Sequence, residues 1–447
     1  MIKLIFPDRT LEELAETFRR TELESFALVL ARPASVTEQN TRLLLESIHI
    51  PEDGEYEVRS RTEVRPSAAF RLPLEKRARR EHLSLIYCHS HPAQRGIPSF
   101  SATDTRWERP LSAYAAERVP DVPHAALLIG AEGFAARELG TSNVIEAWQV
   151  GRDVRRYVPA IKGTVNAVHD RQVRAFGKEG QLTIQSLRIA IVGCGGTGSI
   201  VAQELAHLGA TYTFLIDPDR VTKTNPNRVV GATPADVGRP KVEVARRMIR
   251  RIAPGAIVHT IKGDVLRRST GKLLLDYDLI FCCTDSDGSR HFLNQLAYQY
   301  FIPVIDMGVS ITPGKSGNIV SIDGRVQMLA PGLACLICNE GVLSHRHVMW
   351  DLQSARQRRS DPYFLEVAGI KQPAVISLNG TVASQAITLF LSAVAGVPVM
   401  SRSIRFRVMQ GDARRMNTDP RPGCVNCSVE NGFLGKGTLH PLPGRAR

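Results

Sequence analysis

Two groups of residues in this chain of 447 amino acids have the types and spacing of reaction centres. In the first, His89-Ser90-His91-Pro92 is followed by Ser101 and Asp104. Histidines two apart near the end of an apolar strand project from one face, and Pro92 ends the ladder directly after them. Two imidazole nitrogens and the Asp104 carboxylate form a donor set for zinc that leaves a fourth position to water, which marks catalysis rather than structure. Each part also has an ordinary reading, because Ser101-Ala102-Thr103-Asp104 is a helix cap and two strand histidines can be a solvated edge.

In the second group, Gly193-Cys194-Gly195-Gly196-Thr197-Gly198 follows a strand and opens a helix. Gly193, Gly195, Gly196 and Gly198 let backbone N–H groups approach a phosphate at the helix N-terminus. Asp217 ends the next strand, where a carboxylate binds ribose hydroxyls. These residues alone suit a nicotinamide or flavin (NAD/FAD) enzyme as well as one that binds ATP.

Four of the eight cysteines form the pairs Cys335/Cys338 and Cys424/Cys427. Two such turns far apart in sequence close one tetrahedral zinc site, and a shell of four thiolates is structural. Cys88, Cys194, Cys282 and Cys283 lie in or beside apolar runs and read as small packing residues rather than nucleophiles. This cysteine usage fits a reducing compartment. The N-terminus meets charge and proline early, and no apolar run reaches membrane-spanning length, so the expectation is a cytoplasmic protein without a membrane partner.

A hydrophobic fraction of 43% is that of a globular chain, and the net charge is +13. The basic residues are scattered or sit in helical stretches such as Lys76-Arg77-Ala78-Arg79-Arg80, with no aromatic-plus-basic recognition motif beside them. Nucleic acid is therefore not an expected partner, and the charge suits ATP and an acidic protein.

The elements that must position these residues divide in two. A helix from Leu11 to Arg20 and strands at Ser25–Leu30, Leu43–Ile50, Leu83–His89, His124–Gly130 and Ile145–Trp148 make a first α/β domain over residues 1–150. The pattern loosens over 151–163, a linker. Residues 164–447 then alternate helices with strands at Leu187–Val192, Thr211–Ile216, Ala256–Ile261, Leu279–Cys283 and Ile302–Asp306, which predicts a parallel, doubly wound, Rossmann-like sheet.

The combination of His-x-His-Pro with Ser-x-x-Asp across a short loop resembles the JAMM/JAB metallopeptidase family. The resemblance implies a JAB-type α/β fold with a catalytic zinc on His89, His91 and Asp104, and cleavage of isopeptide or peptide bonds at the C-terminus of ubiquitin-like proteins. It also implies an upstream general base. Glu24, ahead of Ser25-Phe26-Ala27-Leu28-Val29-Leu30, has that place, with Glu22 as a competitor. Ser101 would stabilise the oxyanion. The gap from His91 to Ser101 is two residues longer than the commonest family pattern; Ser99 would restore it, but would put Ala102, which cannot ligate, in the aspartate's place.

After the glycine loop come Asp217-Pro218-Asp219, Asn225-Pro226-Asn227-Arg228, Gly238-Arg239-Pro240-Lys241 and Cys283-Thr284-Asp285. This succession resembles the ThiF/MoeB/HesA adenylating superfamily over most of residues 164–430, with Arg171 upstream and Ser377–Ser384 downstream in matching places. The resemblance implies ATP and magnesium. Asp217 would hold the ribose, Asn225, Arg228 and Lys241 would line the triphosphate, and Asp285 would position Mg2+. Arg171 would reach into the partner subunit's site, which implies a homodimer. Asp219, Arg220 and Asn227 read as structural, or as supports for the residues that touch the nucleotide. Ubiquitin-activating enzymes add a thioester cysteine between the first cysteine pair and the late helix, and residues 339–374 contain none.

The two resemblances together imply adenylation of the C-terminal glycine carboxylate of a ubiquitin-like protein, combined with zinc-dependent processing or deconjugation at that same terminus. A conjugating enzyme is a further partner under that reading. The alternatives are activation of a sulfur-carrier protein for cofactor or amino-acid biosynthesis, a first domain that only docks the carrier, and an NAD/FAD enzyme.

Overall fold

The computed structural model describes residues 2–37, 40–158, 163–314, 318–339, 342–354, 357–358 and 373–445. It divides into two compact units, Met1–Ala160 with Gly435–His440, and Ile161–Leu434 with Pro441–Arg447. Half of the cysteine-free stretch 339–374, and 159–162 of the expected linker, lie outside the described residues.

The first unit is built from β1 (Ile2–Pro7), α1 (Thr10–Phe18), β2 (Phe26–Thr37), β3 (Asn40–His49), β4 (Tyr56–Arg59), β5 (Val64–Pro66), α2 (Ala68–Glu81), β6 (Ser84–His91), α3 (Ala102–Arg118), β7 (Ala125–Gly130), β8 (Phe134–Glu138), β9 (Glu146–Val150) and β10 (Val154–Tyr157). Its main sheet has eight strands in the order β10-β9-β1-β3-β2-β6-β7-β8, and β4 pairs with β5 apart from it. The two faces of the sheet carry different cores, and strand alternation decides which residue joins which. Ala27, Val29, Ala31, Ile86 and Cys88 pack with Leu11, Leu14 and Phe18 of α1. Phe26, Leu28, Leu30, Leu85 and Tyr87 pack with Ala78 of α2 and Ala115 of α3. His89 and His91 keep step with Leu85 and Tyr87, so they fall on the face that α3 covers. Two boundaries differ from expectation. Val154–Tyr157 pairs antiparallel with β9, so the sheet continues past residue 150, and Gly435–His440 belongs to this unit although it lies far along the chain.

The second unit contains α4 (Asp170–Ser186), β11 (Arg188–Val192), α5 (Gly196–His207), β12 (Tyr212–Ile216), α6 (Lys241–Ile252), β13 (Ile257–Ile261), α7 (Arg268–Lys272), β14 (Leu279–Cys282), α8 (Asp287–Gln299), β15 (Val304–Pro313), β16 (Ile319–Leu329), α9 (His345–Leu352), α10 (Ile376–Ala395), β17 (Ser403–Arg407) and β18 (Asp412–Arg415). The sheet order is β13-β12-β11-β14-β15-β16-β17-β18. From β13 to β15 the pairs are parallel, in the arrangement of a nucleotide-binding half. The five strands expected from the sequence are thus the parallel part, and three more, β16, β17 and β18, add antiparallel beyond β15. Those strands are half-exposed and mixed in polarity, so they lack the continuous apolar runs by which strands buried on both faces are recognised.

One helix, α10, is long and apolar enough to cross a membrane by length and composition, which corrects the expectation that no stretch is. Here it packs against α5, α4, β15 and β16. Its buried residues, among them Val382, Ala383, Ala386, Leu389 and Phe390, make it a core helix of this unit.

Candidate active sites

In the first unit, α3 begins at a reciprocal cap. The Asp104 N–H donates to Ser101 Oγ at 3.1 Å, and the Ser101 N–H donates to Asp104 Oδ2 at 2.6 Å. That cap fixes the Asp104 carboxylate with Oδ1 3.2 Å from His89 Nε2 and Oδ2 3.5 Å from His91 Nε2. The two Nε2 atoms are 3.3 Å apart. A tetrahedral ion with ligands at about 2.0–2.2 Å has ligand-to-ligand edges of about 3.3–3.6 Å. The three donors therefore fit one zinc, and His89, His91 and Asp104 form one of two metal-competent clusters among the described residues.

His91 Nδ1 lies 3.3 Å from Gln94 Oε1, and Gln94 Nε2 donates to Ser99 Oγ at 2.9 Å. A ring nitrogen engaged in this way leaves Nε2 as the ligating atom. Gln94 went unnoticed in the sequence because it stands in a loop with no periodicity. Burial alone would raise the pKa of Asp104, but hydrogen bonds from His89 and His91 hold it well below the usual carboxylate range.

Glu24 keeps step with Phe26, which pairs with His89, and its Oε1 lies 3.8 Å from His91 Nε2. The backbone is held on both sides, by its N–H to Ser60 O at 2.7 Å and by Arg59 Nε to its own carbonyl at 3.4 Å. Glu24 is buried, and that burial raises its pKa, with the two histidines opposing. Glu22, the competitor, is 79% exposed and ion-paired with Arg61, which removes it from the site. Ser101 is exposed and acts as the cap of the ordinary reading, although a hydroxyl that accepts one N–H keeps its own O–H as a donor. A cleft of about 480 Å3 opens beside His89 and Asp104, lined by Glu24, Val64, Leu72, Trp107 and Leu111.

In the second unit a cavity of about 450 Å3 lies over the C-terminal edge of the parallel strands, and Gly193, Gly195, Gly196, Asp217, Asn225, Arg228, Lys241 and Asp285 all line it. Gly193 has φ +93°, and a Cβ there would lie 2.6 Å from Cys283 O, so this turn requires glycine. Asp217, nearly fully buried, accepts from Cys194 N and Asp219 N, each at 2.7 Å, and so ties the glycine loop to the end of β12. Burial raises its pKa, opposed by Lys241.

Lys241 opens α6, and its Nζ donates to Asp219 Oδ2 at 2.7 Å. Burial would lower its pKa, but Asp217 and Asp219 more than offset that, and the ammonium stays charged. Asp219 thus supports a cavity residue, as its expected supporting role allows, by positioning the lysine. Asn225 Oδ1 accepts from Thr222 N at 3.0 Å, so part of its function is to close the turn. Arg228 Nη1 donates to Thr224 O at 2.8 Å and to Asn227 Oδ1 at 3.2 Å, in keeping with a structural Asn227. Asp285 is exposed at the cavity. Arg171 is also exposed, on α4, and is not among the cavity's lining residues.

Two residues of this cavity escaped the sequence reading. Asn379 of α10 reaches the glycine loop, and a Cβ at Gly196 would meet its Nδ2 at 2.2 Å. Arg290 is buried, with Nη1 on Asp306 at 2.7 and 2.9 Å and Nη2 on Thr284 O at 2.8 Å and Met307 O at 3.0 Å. It braces the loop that carries Asp285. A charged residue closing the apolar strand at Asp306 was the one available signal.

The second metal-competent cluster is Cys335, Cys338, Cys424 and Cys427. Sulfur separations of 3.7, 3.6 and 3.5 Å approach the edge of about 3.8 Å expected for four thiolates at about 2.3 Å from zinc. Arg421 N–H donates to Cys338 Sγ at 3.3 Å. Cys194, Cys282 and Cys283 are buried, and burial pushes their thiols upward, so none has the character of a nucleophile.

Residues 169–427, more than half of the chain, match the family described as the ThiF family. The chain belongs to the ThiF family. The matched residues lie within the second unit. This ThiF-family chain is 26% identical over 263 residues to a molybdopterin-synthase adenylyltransferase of Escherichia coli K12, covering 58% of this chain and 95% of that protein. It is 30% identical over 151 residues to an adenylyltransferase and sulfurtransferase of Drosophila willistoni, covering 34% of this chain and 31% of that protein. Among solved structures, Escherichia coli MccB with ATP aligns over 59% of this chain and 75% of its own, at 19% identity and a TM-score of 0.48. ThiF-family membership makes the second unit an adenylating domain of Rossmann-like α/β fold.

Proposed function

We propose that the second unit adenylates the C-terminal glycine carboxylate of a small carrier protein, and that the first unit hydrolyses a bond at that same terminus. The carrying observation is the convergence on one cavity of the glycine loop, Asp217, Arg228, Lys241 and Asp285. Attack of a carboxylate on the α-phosphorus of ATP brings two anions together, so cations must neutralise charge that grows toward the transition state. Lys241, held charged by its aspartates, and Arg228 supply that neutralisation, while the N-terminus of α5 and its loop cradle phosphate. Asp285 would hold Mg2+, and Asp217 the ribose.

Of the two carriers weighed, a sulfur carrier is favoured over a ubiquitin-like modifier, because the similar proteins are named for molybdopterin synthase and for sulfur transfer. The buried state of Cys194, Cys282 and Cys283 also favours an acyl-adenylate as the product rather than a thioester on one of these cysteines. Arg171, exposed at the start of α4, suits a part in the site of a second copy in a homodimer.

For the first unit, His89, His91 and Asp104 would hold a catalytic zinc, which supplies a water of lowered pKa when bound. Glu24 would serve as the general base and pass a proton to the leaving amine, and Ser101 would donate toward the oxyanion. The four cysteines would hold a structural zinc.

The test is ATP–pyrophosphate exchange with a small sulfur-carrier protein ending in glycine, comparing native protein with Lys241→Ala and Asp285→Ala. Exchange that depends on carrier and falls at least about a hundredfold in both variants supports the reading. Undiminished exchange in both sinks it.

A further inference from the structure

The nucleotide cavity has a wall that comes from the far end of the chain. Arg445 lines it together with Gly263, Asp264, Val265 and Leu266, the loop that follows β13. The segment carrying Arg445 is held there at several points. Pro441 O accepts from Gln295 Nε2 at 3.2 Å, and Leu442 is buried. Arg445 N–H donates to Leu266 O at 2.7 Å, and Arg268 N–H donates to Arg445 O at 3.1 Å. A Cβ at Gly444 would lie 2.7 Å from Leu266 O, so glycine is what permits this approach. Beyond the backbone, Arg445 Nη2 pairs with the Asp264 carboxylate, itself fixed by Leu266 N–H at 2.9 Å. The Arg445 Nε is buried with no hydrogen-bond partner among the described residues.

The order of the strands says which part of a nucleotide this wall meets. The glycine loop follows β11 and takes phosphate, and Asp217 at the end of β12 takes ribose. Phosphate, ribose and base are consecutive in a nucleotide, and β13 is the next strand in the same direction. The base then falls over Gly263–Leu266 and Arg445. A guanidinium is planar and weakly hydrated, and one pinned at an edge by a carboxylate is preorganised to stack on a purine or bond to its rim.

We propose that Arg445 is a binding residue for the purine base of the nucleotide, delivered by the C-terminal segment. The proposal rests on the adenylation reading above. Calorimetric titration of the full chain with MgATP and, separately, with magnesium tripolyphosphate separates the base from the phosphates. Arg445→Ala is expected to weaken ATP about tenfold while tripolyphosphate stays within about twofold. Arg445→Lys, which keeps the charge and the pairing with Asp264 but loses the plane, is expected to fall between. Unchanged ATP affinity in Arg445→Ala, an equal loss for both ligands, or full ATP affinity in Arg445→Lys would each overturn the base contact. If the native chain binds tripolyphosphate but not ATP, or neither, the adenylation reading fails first and this proposal falls with it.

Discussion

A methyl group on Gly198 would lie 1.8 Å from the carbonyl oxygen of Gly193. The first turn of α5 thus sits directly on the end of β11, and the obstacle is backbone, which cannot swing aside. Gly195, in the same loop, has nothing within 4 Å of the position its Cβ would take. The two glycines therefore have different functions. Gly198→Ala is expected to destabilise the second unit by about 3 kcal/mol or more, read as a fall in its denaturation midpoint. Gly195→Ala is expected to keep that midpoint and weaken ATP binding. Equal midpoints for the two variants would contradict the distinction.

Asp236 makes the second unit sensitive to acid. Its side chain is 3% exposed and accepts from Arg247 Nη1 at 2.7 Å, Arg247 Nη2 at 2.8 Å and Thr233 N at 2.9 Å. The Arg247 guanidinium holds its pKa well below the usual range. With the folded value below the unfolded one of about 3.9, the stabilisation is whole above about pH 5 and is lost as pH falls through and below the unfolded value. Asp236→Asn should cost about 2 kcal/mol at pH 7, and the gap to native protein should narrow toward pH 3 in thermal melts. A gap independent of pH would refute this linkage.

Much of this arrangement was legible in the sequence because it follows from spacing along single elements. His89 and His91 share a strand face by alternation, Ser101 and Asp104 by the geometry of a first helical turn, and each cysteine pair by its own tight turn. What was not legible depends on partners distant in sequence. Asn379 meets Gly196 only because α10 packs against α5, and Arg290 meets Asp306 only because α8 packs against β15. The antiparallel strands β16–β18 were hidden because half-exposed strands carry weak patterns. The choice of Glu24 over Glu22 needed burial, which no local pattern reports.

Metal content distinguishes the two clusters that could each hold a metal ion. Native protein is expected to carry two zinc ions per chain by elemental analysis. His91→Ala should carry one and keep the native melting temperature within about 2 °C, whereas Cys427→Ala should carry one and melt well below it, since a structural zinc contributes folding energy. Two ions retained in either variant would remove that residue from its cluster.

If Arg171 acts in a partner's site, two defective proteins should repair each other. Arg171→Ala and Lys241→Ala are each expected to lose pyrophosphate exchange, and co-refolding or subunit exchange between them should restore part of it, because one of the two sites in a mixed dimer is then complete. Mixed dimers that remain inactive would place Arg171 in its own subunit or outside the site.

That both units act on one carboxyl group is tested most directly by intact-mass spectrometry of a carrier extended beyond its terminal glycine. With ATP present, native protein should trim the carrier and then form the adenylate. Glu24→Ala should do neither to the extended carrier yet adenylate one already trimmed, and Lys241→Ala should trim without adenylating. Trimming by Glu24→Ala at the native rate, or adenylate formed on the untrimmed carrier, would contradict it.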